Sequence, residues 1–360
     1  MNNFKYDKAV VIGRFQPFHN GHVKMVSEAL AESKTVYVLI GSALSFPNVR
    51  NPLTASERQS MITSWAVSTM DPKDSSRIVF RHIPDFLYNE EKWKTSIRTA
   101  IEETSGDKIG IYGYYKDKDS YWLKSFGWEH REVEPYLVSV PGDSESSYEI
   151  NATEIRAELF AHKNGWDYKL RNRVPRSVIS RLDTWMNGDT FWRLIYENDH
   201  WEREREKFRN YPYKGTLNCN TADAVVVCNN HLLVIERKYH PGQGSYALPG
   251  GHKNDNESFL DCAIRELLEE VRIKVPEKVI RGSIRNSMLF DHPLRSYMFC
   301  KPTVAQYIKL EPNNDGSLPR IAGGADDAAD AFWMPLHQVV KYQDKFFDDH
   351  FQIVTAFTGI

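Results

Sequence analysis

Cysteine, net charge and long apolar runs are all scarce in this sequence. Only four cysteines occur in 360 residues, and no two have C-x-x-C spacing: Cys219, Cys228, Cys262 and Cys300. A disulfide or zinc framework is therefore not expected, and we predict small buried thiols in a reducing compartment. The formal net charge of −2 gives no bulk attraction to nucleic acid or to an anionic membrane.

No apolar run approaches the ~18 residues that a membrane span needs. The first residues, MNNFKYDKAVVIG, lead straight into an apolar strand and lack a signal-peptide cleavage pattern. The chain is rich in material for cores, with 41% hydrophobic and 12% aromatic residues, and its 360 residues suffice for two or more domains. We expect a globular, cytoplasmic protein without a nucleic-acid or membrane partner.

In the first half of the chain, short β-branched runs alternate with helical periods. Thr54 with Glu57 forms a capping box that marks one helix start. Such alternation predicts βαβ units in a parallel sheet, with ligands at the carboxyl ends of the strands. The predicted strands are Ala9–Ile12, Val36–Ile40, Ile78–Arg81 and Ile109–Tyr112, and the predicted helices are His22–Ala31, Ala55–Ser68 and Glu90–Glu103.

The pattern changes twice further along the chain. Residues 171–215, with the charge run Glu202–Lys207, are predicted to be a helical connector whose charge run faces solvent. From Thr221 the pattern is β-rich, with a hairpin turn at Asn229-Asn230, and predicts an α+β domain. Its predicted strands are 224–228, 231–236 and 297–306, its main helix is 258–271, and another helix follows Pro335. The predicted domains are 1–170 and 216–345, with a C-terminal tail at 346–360.

The segment Gly13–His22, GRFQPFHNGH, follows the first predicted strand and opens the first helix. A phosphate chain bound there would meet free backbone N–H groups and the positive end of the helix dipole. His19 and His22 are three residues apart, so both imidazoles can face one side of a turn and stabilise charge on a transferred phosphoryl group. Gly21 between them would let a ligand approach the backbone closely.

A second segment, Ile150–Arg156, also lies at a predicted helix start. Thr153 is predicted to cap this helix, while Arg156 points back toward a phosphate. The two segments together resemble the HxGH and ST-x-x-R-like elements of the nucleotidylyltransferase superfamily. Arg50–Arg58, RNPLTASER, resembles the matching segment of archaeal-type nicotinamide-mononucleotide (NMN) adenylyltransferases.

This resemblance covers residues 8–175 and implies a Rossmann-like domain that makes NAD and pyrophosphate from ATP and NMN with Mg²⁺. No covalent intermediate is needed, because the phosphate of NMN is already a nucleophile. The catalytic residues that the resemblance implies are His19, His22 and Arg156. The substrate contacts that it implies are Gly13, Arg14, Phe15, Arg50, Thr153 and, on the nicotinamide side, Asn89 and Trp93.

Three acidic side chains in the second half have helical spacing. Glu266, Glu269 and Glu270 lie at i, i+3 and i+4, so one helix face would present three carboxylates. Unpaired, these would repel one another, and a hard divalent cation such as Mg²⁺ or Mn²⁺ removes that repulsion. The spacing therefore predicts a metal site that activates water and neutralises a pyrophosphate.

The loop before this helix completes the pattern. Arg265 is predicted to pair with Glu257, which would pin the loop so that the Gly251 carbonyl joins the metal ligands. The segment resembles the Nudix box, Gx5Ex7REUxEExGU, at every fixed position but one, and implies a Nudix fold. The exception is Arg272 at the last glycine, which costs roughly 1 kcal/mol of stability if that residue is left-handed.

The stretch Gly323–Leu336 resembles the acidic loop and W-x-P-L of Nudix members that act on ADP-sugars. Asp326 or Asp327 could be a distal base there, and a plain loop acid is an equal alternative. The whole chain resembles bifunctional NMN adenylyltransferase/ADP-ribose pyrophosphatases, which implies that ADP-ribose is cut to AMP and ribose 5-phosphate.

Two other functions stay open at this point. The first domain could adenylylate nicotinate mononucleotide or another phosphate, with a different Nudix substrate, or the Nudix domain could sense nucleotides without hydrolysing them. Assembly into a homo-oligomer is also left open.

Overall fold

The structure, a computed structural model, describes residues 4–114, 118–140, 143–161, 165–209, 219–297, 300–324 and 327–360. The chain divides into two compact units, each with its own sheet and hydrophobic core. The first unit comprises Met1–Pro47, Asn51–Asp85 and Asn89–Ile195, and the second comprises Asn48–Arg50, Phe86–Tyr88 and Tyr196–Ile360.

The first unit is built on a parallel sheet with the strand order β3-β2-β1-β4-β5. Its strands are β1 (Tyr6–Gly13), β2 (Ser33–Ile40), β3 (Ile78–His82), β4 (Ile109–Gly113) and β5 (Glu129–Glu132), and β6 (Leu137–Val140) pairs with β7 (Asp143–Glu149) as a separate antiparallel ribbon. The helices are α1 (Asn20–Glu32), α2 (Ala55–Thr69), α3 (Pro72–Ser75), α4 (Glu90–Ala100), a 3-10 turn (Lys118–Lys124), α5 (Ala152–Ala161), α6 (Trp166–Leu170) and α7 (Arg176–Met186). Helix α8 (Asp189–Phe208) begins in this unit, and its residues from Tyr196 onward belong to the second.

This sheet confirms the predicted Rossmann-like fold. The middle of β1, Ala9–Val11, is fully buried, as expected of a central parallel strand covered on both faces. The predicted capping box also forms, because the Glu57 N–H donates to the Thr54 hydroxyl at 3.2 Å and the Thr54 N–H donates to the Glu57 carboxylate at 2.7 Å. Because the strands are parallel, the loops after β1, β2 and β4 meet at one edge of the sheet.

The second unit has a mixed sheet with the order β10-β9-β8-β13-β12, in which β11 also pairs with β8 and β14 with β9. Its strands are β8 (Thr221–Cys228), β9 (His231–Arg237), β10 (Tyr246–Ala247), β11 (Gly250–His252), β12 (Ile284–Phe290), β13 (Thr303–Leu310) and β14 (Ala328–Pro335). Its helices are α9 (Phe259–Val271), α10 (Glu277–Gly282), α11 (Leu336–Val339), a 3-10 turn (Val340–Lys345) and α12 (His350–Thr358).

The predicted hairpin and charged helix face are both confirmed. Asn229 and Asn230 both have positive φ, 43° and 58°, and join the antiparallel strands β8 and β9. The charge run Glu202–Lys207 lies on α8, where Arg205 pairs with Glu202 at 2.6 Å among exposed side chains.

Two predicted elements have different bounds. Helix α4 ends at Ala100 rather than at residue 103, because Glu102 takes a left-handed backbone (φ 52°). The strand predicted over 297–306 starts only at Thr303 and runs to Leu310. Pro302, which precedes it, has no N–H for the β-ladder.

The four cysteines are free thiols. Cys228 and Cys262 are buried as predicted, whereas Cys219 and Cys300 are half-buried. Across the described ranges, no helix is both long and apolar enough to cross a membrane.

Candidate active sites

The loop between β1 and α1 forms the base of the first candidate site. β1 ends at Gly13, the chain turns through Phe15 in a left-handed conformation (φ 50°), and His19 with extended backbone precedes α1. A Cβ on Gly13 would lie only 2.9 Å from the Phe15 ring, so this turn needs a glycine. The loop lies at the carboxyl edge of the sheet, beside the N-terminus of α1, where an anion is favoured.

His19 and His22 are stacked at the start of α1, with ring centroids 3.7 Å apart. The His22 ring also contacts Phe15 and Phe18, at centroid distances of 4.8 Å and 5.7 Å. Burial lowers the pKa of His19 to about 3, and burial together with the neighbouring His19 lowers the pKa of His22 well below its ordinary value. Both rings are therefore neutral at pH 7. The Nδ1 atom of His19 is buried and has no hydrogen-bond partner within the described residues.

A cavity of about 280 Å³ opens beside the two histidines. Its walls combine the imidazoles with aromatic and apolar groups, and they include His19, Gly21, His22, Tyr114, Tyr136 and Ile150. A Cβ on Gly21 would come within 3.1 Å of both His19 and Ile150, so the glycine lets these two walls approach. The cavity therefore joins the HxGH segment to the start of the second segment.

Arg156 reaches the same loop from α5. Its Nη1 donates to the Gln16 carbonyl at 2.8 Å, and its Nη2 donates to the Thr153 hydroxyl at 3.1 Å. The Gln16 side chain in turn exchanges two hydrogen bonds with the backbone of Leu53, at 2.8 Å and 3.0 Å. The sequence analysis did not predict these hydrogen bonds of Gln16, although Gln16 lies within the GRFQPFH segment. The structure thus brings Arg156 to the loop that also carries Gly13, Arg14 and Phe15.

The predicted cap of α5 is wrong. The helix begins at Ala152, so Thr153 lies within its first turn. The capping residue is Asn151, whose side-chain oxygen accepts the backbone N–H of Thr153 at 2.9 Å. Asn immediately before a helix is among the strongest N-caps, which leaves the Thr153 hydroxyl to accept from Arg156.

Arg14 and Arg50 are placed differently from each other. Arg14 is exposed on the loop after β1. Arg50 belongs to the second compact unit, where its guanidinium donates to the carbonyl of Leu294 at 3.2 Å and to those of Ser296 and Tyr297 at 3.4 Å. Its role as a substrate contact stays a prediction.

The two residues predicted on the nicotinamide side have structural contacts. Asn89 caps α4 by accepting the Lys92 N–H at 2.8 Å. Trp93 is half-buried and lies edge-on to Trp122 at 5.9 Å, and Trp122 lines the cavity beside the histidines. Trp93 is thus one aromatic ring away from the cavity, and the roles of Asn89 and Trp93 toward substrate stay predictions.

The second candidate site is built around Arg265 on α9. Its guanidinium makes two hydrogen bonds to Glu257, at 3.0 Å and 2.8 Å, which confirms the predicted pairing. It also donates to the carbonyl of His252 at 3.0 Å, so it ties the loop to the helix. The pairing with Arg265 holds the pKa of Glu257 at about 2. Nη1 of Arg265 additionally binds Glu266 at 2.9 Å and Glu269 at 3.0 Å.

Two of the three helix glutamates point into the protein. Glu270 is 3% exposed and accepts the Gly250 N–H at 3.0 Å. Burial raises the pKa of Glu270 to about 8 and also raises the pKa of Glu266. A Cβ on Gly251 would lie 2.3 Å from a Glu266 carboxylate oxygen, so any larger residue would require that carboxylate or the loop to move. Glu269 is the exposed member of the three.

This donor set fits a hard divalent cation. Buried carboxylates with raised pKa values favour the neutral form, and a nearby cation would hold them ionised. In the part of the chain that the structure describes, no three His, Cys, Asp or Glu side chains converge into a ready-made metal cluster. Arg265 bridges Glu266 and Glu269 instead.

Three more residues complete the surroundings of this helix. Arg272, at the glycine position of the box, is left-handed (φ 53°, ψ 42°), as the pattern predicts. His350, which sequence reasoning missed, accepts the Leu248 N–H at 2.9 Å and so holds the loop before Gly251. Burial is the main cause of the raised pKa of Glu266, and the negative charge of Asp327 adds to it. Asp326 lies outside the described residues.

Comparisons with known proteins match a family model to each half of the chain. A cytidylyltransferase-like family model matches residues 10–110, and a NUDIX domain model matches residues 219–357. A bifunctional NMN adenylyltransferase/ADP ribose pyrophosphatase from Francisella tularensis is 30% identical, and the match covers 98% of both chains with a TM-score of 0.84. The chain belongs to this bifunctional family.

Two adenylyltransferases each match about half of the chain. The nicotinamide/nicotinic acid mononucleotide adenylyltransferase of Acinetobacter baylyi is 31% identical over 53% of this chain and 93% of its own length. The nicotinamide-nucleotide adenylyltransferase of Methanococcus aeolicus is 46% identical over 49% of this chain and 88% of its own length. A second structure of the Francisella protein, 29% identical over 98% of both chains with a TM-score of 0.83, contains AMP and a manganese ion.

Proposed function

We propose that the chain makes NAD from ATP and NMN at the first site and hydrolyses ADP-ribose to AMP and ribose 5-phosphate at the second. The observation that carries this proposal is the likeness to the Francisella protein over 98% of both chains. The two constellations described above, one of imidazole and guanidinium groups and one of carboxylates, support it because each suits the chemistry of its half.

In the first reaction, a phosphate oxygen of NMN attacks the α-phosphorus of ATP, and the bond from that phosphorus to pyrophosphate breaks. Catalysis is then a matter of position and charge stabilisation. Arg156, held by the Gln16 carbonyl, would bind the phosphates. His19 and His22 would donate hydrogen bonds to the oxygens on which charge builds.

The first site offers imidazole and guanidinium groups around the predicted triphosphate position. These groups suit anions, so Mg²⁺ would arrive bound to the triphosphate of ATP. Gly13 and Phe15 would let the backbone of the turn approach that triphosphate. Arg14, Arg50, Thr153, Asn89 and Trp93 remain proposed substrate contacts.

In the second reaction, water attacks one phosphorus of ADP-ribose and the bridging P–O bond breaks, which gives AMP and ribose 5-phosphate. Glu266, Glu269, Glu270 and the Gly251 carbonyl would hold Mg²⁺ or Mn²⁺, which lowers the pKa of water and offsets the pyrophosphate charge. The Arg265–Glu257 pair would keep the loop and the helix in register. Arg265 would have to release Glu266 and Glu269 for both to become ligands.

A pair of incubations tests the proposal. The protein is given ATP and Mg²⁺ with either NMN or nicotinate mononucleotide, and separately ADP-ribose with Mg²⁺ or Mn²⁺, and the products are resolved by chromatography. We expect NAD with pyrophosphate in the first assay, and AMP with ribose 5-phosphate in the second. Formation of deamido-NAD but no NAD would mean that the acceptor is nicotinate mononucleotide rather than NMN. Binding of ADP-ribose without hydrolysis would mean that the second unit is a nucleotide sensor.

The proposed reactions use small-molecule nucleotides only. The cytoplasmic location and the absence of nucleic-acid and membrane partners stay part of the proposal. Light scattering of the purified protein would decide between a monomer and a homo-oligomer.

A further inference from the structure

Arg58, near the start of α2, joins the loops that follow two neighbouring strands. Its Nη1 donates to the carbonyl of Arg14, after β1, at 2.7 Å and to that of Gly41, after β2, at 2.6 Å. Its Nη2 donates to the Ser42 carbonyl at 3.1 Å, and its Nε donates to the Thr54 carbonyl at 3.1 Å. The side chain is 1% exposed. One buried guanidinium thus satisfies four backbone oxygens.

Only arginine can make this set of contacts. Its planar guanidinium carries five N–H donors in a fixed fork, whereas a lysine ammonium is a compact point charge with three donors. Among the described residues, no carboxylate lies within ion-pairing distance of Arg58. Burial lowers its pKa to about 10, so the group remains charged at neutral pH. The nearby carboxylates of Asp85 and Glu57 favour its charged form, but burial outweighs them, and a bound anion would reduce the remaining cost.

The carbonyls that Arg58 holds also fix the direction of the adjoining N–H groups. In a trans peptide, the C=O and the following N–H point to opposite sides. Holding the Arg14 and Gly41 carbonyls on Arg58 therefore turns the N–H groups of Phe15 and Ser42 away from it. Both of these residues are left-handed, with φ of 50° and 47°, which non-glycine residues adopt only where surrounding contacts enforce it.

We propose that Arg58 is a positioning residue of the adenylyl-transfer site. It aims the N–H groups of Phe15 and Ser42 at the triphosphate of ATP, and its buried charge adds to the attraction for that anion. This inference rests on the proposed function of the first site and extends it to a residue that does not itself touch the substrate.

The test compares Arg58→Lys and Arg58→Gln with a matched control, Arg77→Lys. Arg77 also donates to a backbone oxygen, that of Ser33 at 2.6 Å, but Ser33 opens β2 at the opposite edge of the same sheet. Calorimetry measures the Kd of a non-hydrolysable ATP analogue, and steady-state assays give KM for ATP and kcat for NAD synthesis. Each protein is assayed at the same interval below its own unfolding midpoint, with ADP-ribose hydrolysis as a second readout.

We expect Arg58→Lys to weaken analogue binding about tenfold and to lower kcat about a hundredfold, since small misplacement of groups around reacting atoms has effects of that size. Arg58→Gln, which also lacks the charge, should bind the analogue more weakly still. Hydrolysis of ADP-ribose should stay within twofold of wild type in both, and Arg77→Lys should match wild type in Kd and kcat.

The proposal would be overturned if the Arg58 variants kept the wild-type Kd and KM and if their kcat fell only in proportion to the folded fraction. Arg58 would then be merely structural. If the wild type binds the analogue but makes no NAD, the proposed acceptor is wrong, and the Kd values still decide the role of Arg58. If the wild type does not bind the analogue, both proposals fail.

Discussion

The backbone N–H of His19 donates to Nδ1 of His22 at 3.2 Å. In this bond Nδ1 of the neutral His22 ring is the acceptor, so the ring proton lies on Nε2. The Nε2–H group can then donate to a phosphate oxygen. The stacking of the two rings adds to burial in keeping both neutral, because two imidazolium ions at 3.7 Å would repel each other. The pair is therefore set up to meet an anion as hydrogen-bond donors rather than as fixed charges.

Replacing the first-site groups should separate the two activities. We expect His19→Ala and Arg156→Ala each to lower NAD synthesis at least a hundredfold, because each removes a group that would stabilise transition-state charge. ADP-ribose hydrolysis should remain within a few-fold, since these residues belong to the other compact unit. Arg171→Ala, which removes an exposed arginine of the first unit, serves as the control and should leave both rates near wild type. Equal loss of both activities in folded His19→Ala would contradict the two-site assignment.

The buried histidine should also make stability depend on pH. The folded-state pKa of His19 is about 3, below its unfolded value near 6.5. As pH falls below 6.5, the unfolded chain binds a proton that the folded protein does not, so the free energy of unfolding decreases. Between pH 7.5 and 5, this one group should cost about 2 kcal/mol.

His19→Asn isolates this effect, because asparagine does not titrate and is a good helix N-cap. Urea unfolding of both proteins at several pH values gives the comparison. The stability of the variant should fall less than that of wild type on acidification, by about the same 2 kcal/mol. Parallel curves would show that His19 is not held neutral in the folded state.

Local patterns predicted the elements whose signals lie close together in sequence. The capping box at Thr54, the Asn229-Asn230 turn and the Glu257–Arg265 pair each span at most nine residues, and all three form as expected. In each case, helix or turn geometry alone brings the groups together.

Contacts between distant residues could not be predicted in this way. Gln16 binds Leu53 from 37 positions away, and His350 accepts the Leu248 N–H from 102 positions away. The periodicity of a local segment does not indicate which distant residues come into contact.

Strand β12 was missed for another reason. Its residues 285–289 are all exposed, so the alternation that reveals a half-buried strand is absent.

Glu269 and Glu270 of α9 should differ from the loop residue Glu257 when each is changed to glutamine. Glu269→Gln and Glu270→Gln keep the side-chain size but remove a metal-binding charge, so ADP-ribose hydrolysis should fall a hundredfold or more, roughly 3 kcal/mol in the barrier. The metal-free thermal midpoint should change little, because burial already keeps the Glu270 carboxyl largely protonated (pKa about 8) and the ion pair of the exposed Glu269 with Arg265 contributes little.

Glu257→Gln is the matched comparison. It weakens the two hydrogen bonds to Arg265, at 3.0 Å and 2.8 Å, and should lower both the rate and the metal-free midpoint. The measurements are turnover with Mg²⁺ and thermal unfolding without metal. If Glu269→Gln and Glu270→Gln were destabilised yet kept normal turnover, these carboxylates would be structural.

A single methyl group on Gly251 should disable the second site. The new Cβ would lie 2.3 Å from Glu266 Oε1, so that the carboxylate or the loop must move. We expect Gly251→Ala to lose at least tenfold in hydrolysis and to need more Mn²⁺ for half-maximal rate, because displacing a ligand weakens metal binding. Gly282→Ala, where nothing lies within 4 Å of the added Cβ, is the control and should behave like wild type. Normal hydrolysis by Gly251→Ala would show that the loop has room to shift.

Restoring the box glycine should stabilise the protein without changing its chemistry. Arg272 holds φ 53° and ψ 42° at the end of α9, a conformation that costs a residue with a Cβ about 1 kcal/mol more than glycine. Arg272→Gly should therefore raise the free energy of unfolding by up to about 1 kcal/mol, less the extra backbone entropy that glycine loses on folding. Arg272→Ala keeps the Cβ and should bring no such gain, so the difference between the two variants isolates backbone strain. Urea unfolding measures the stability of both variants. Their ADP-ribose hydrolysis should stay within twofold of wild type, because the Arg272 side chain is exposed and the backbone N–H at this position still donates to the Leu268 carbonyl. A glycine variant no more stable than the alanine variant would mean that the left-handed turn carries no strain at this position.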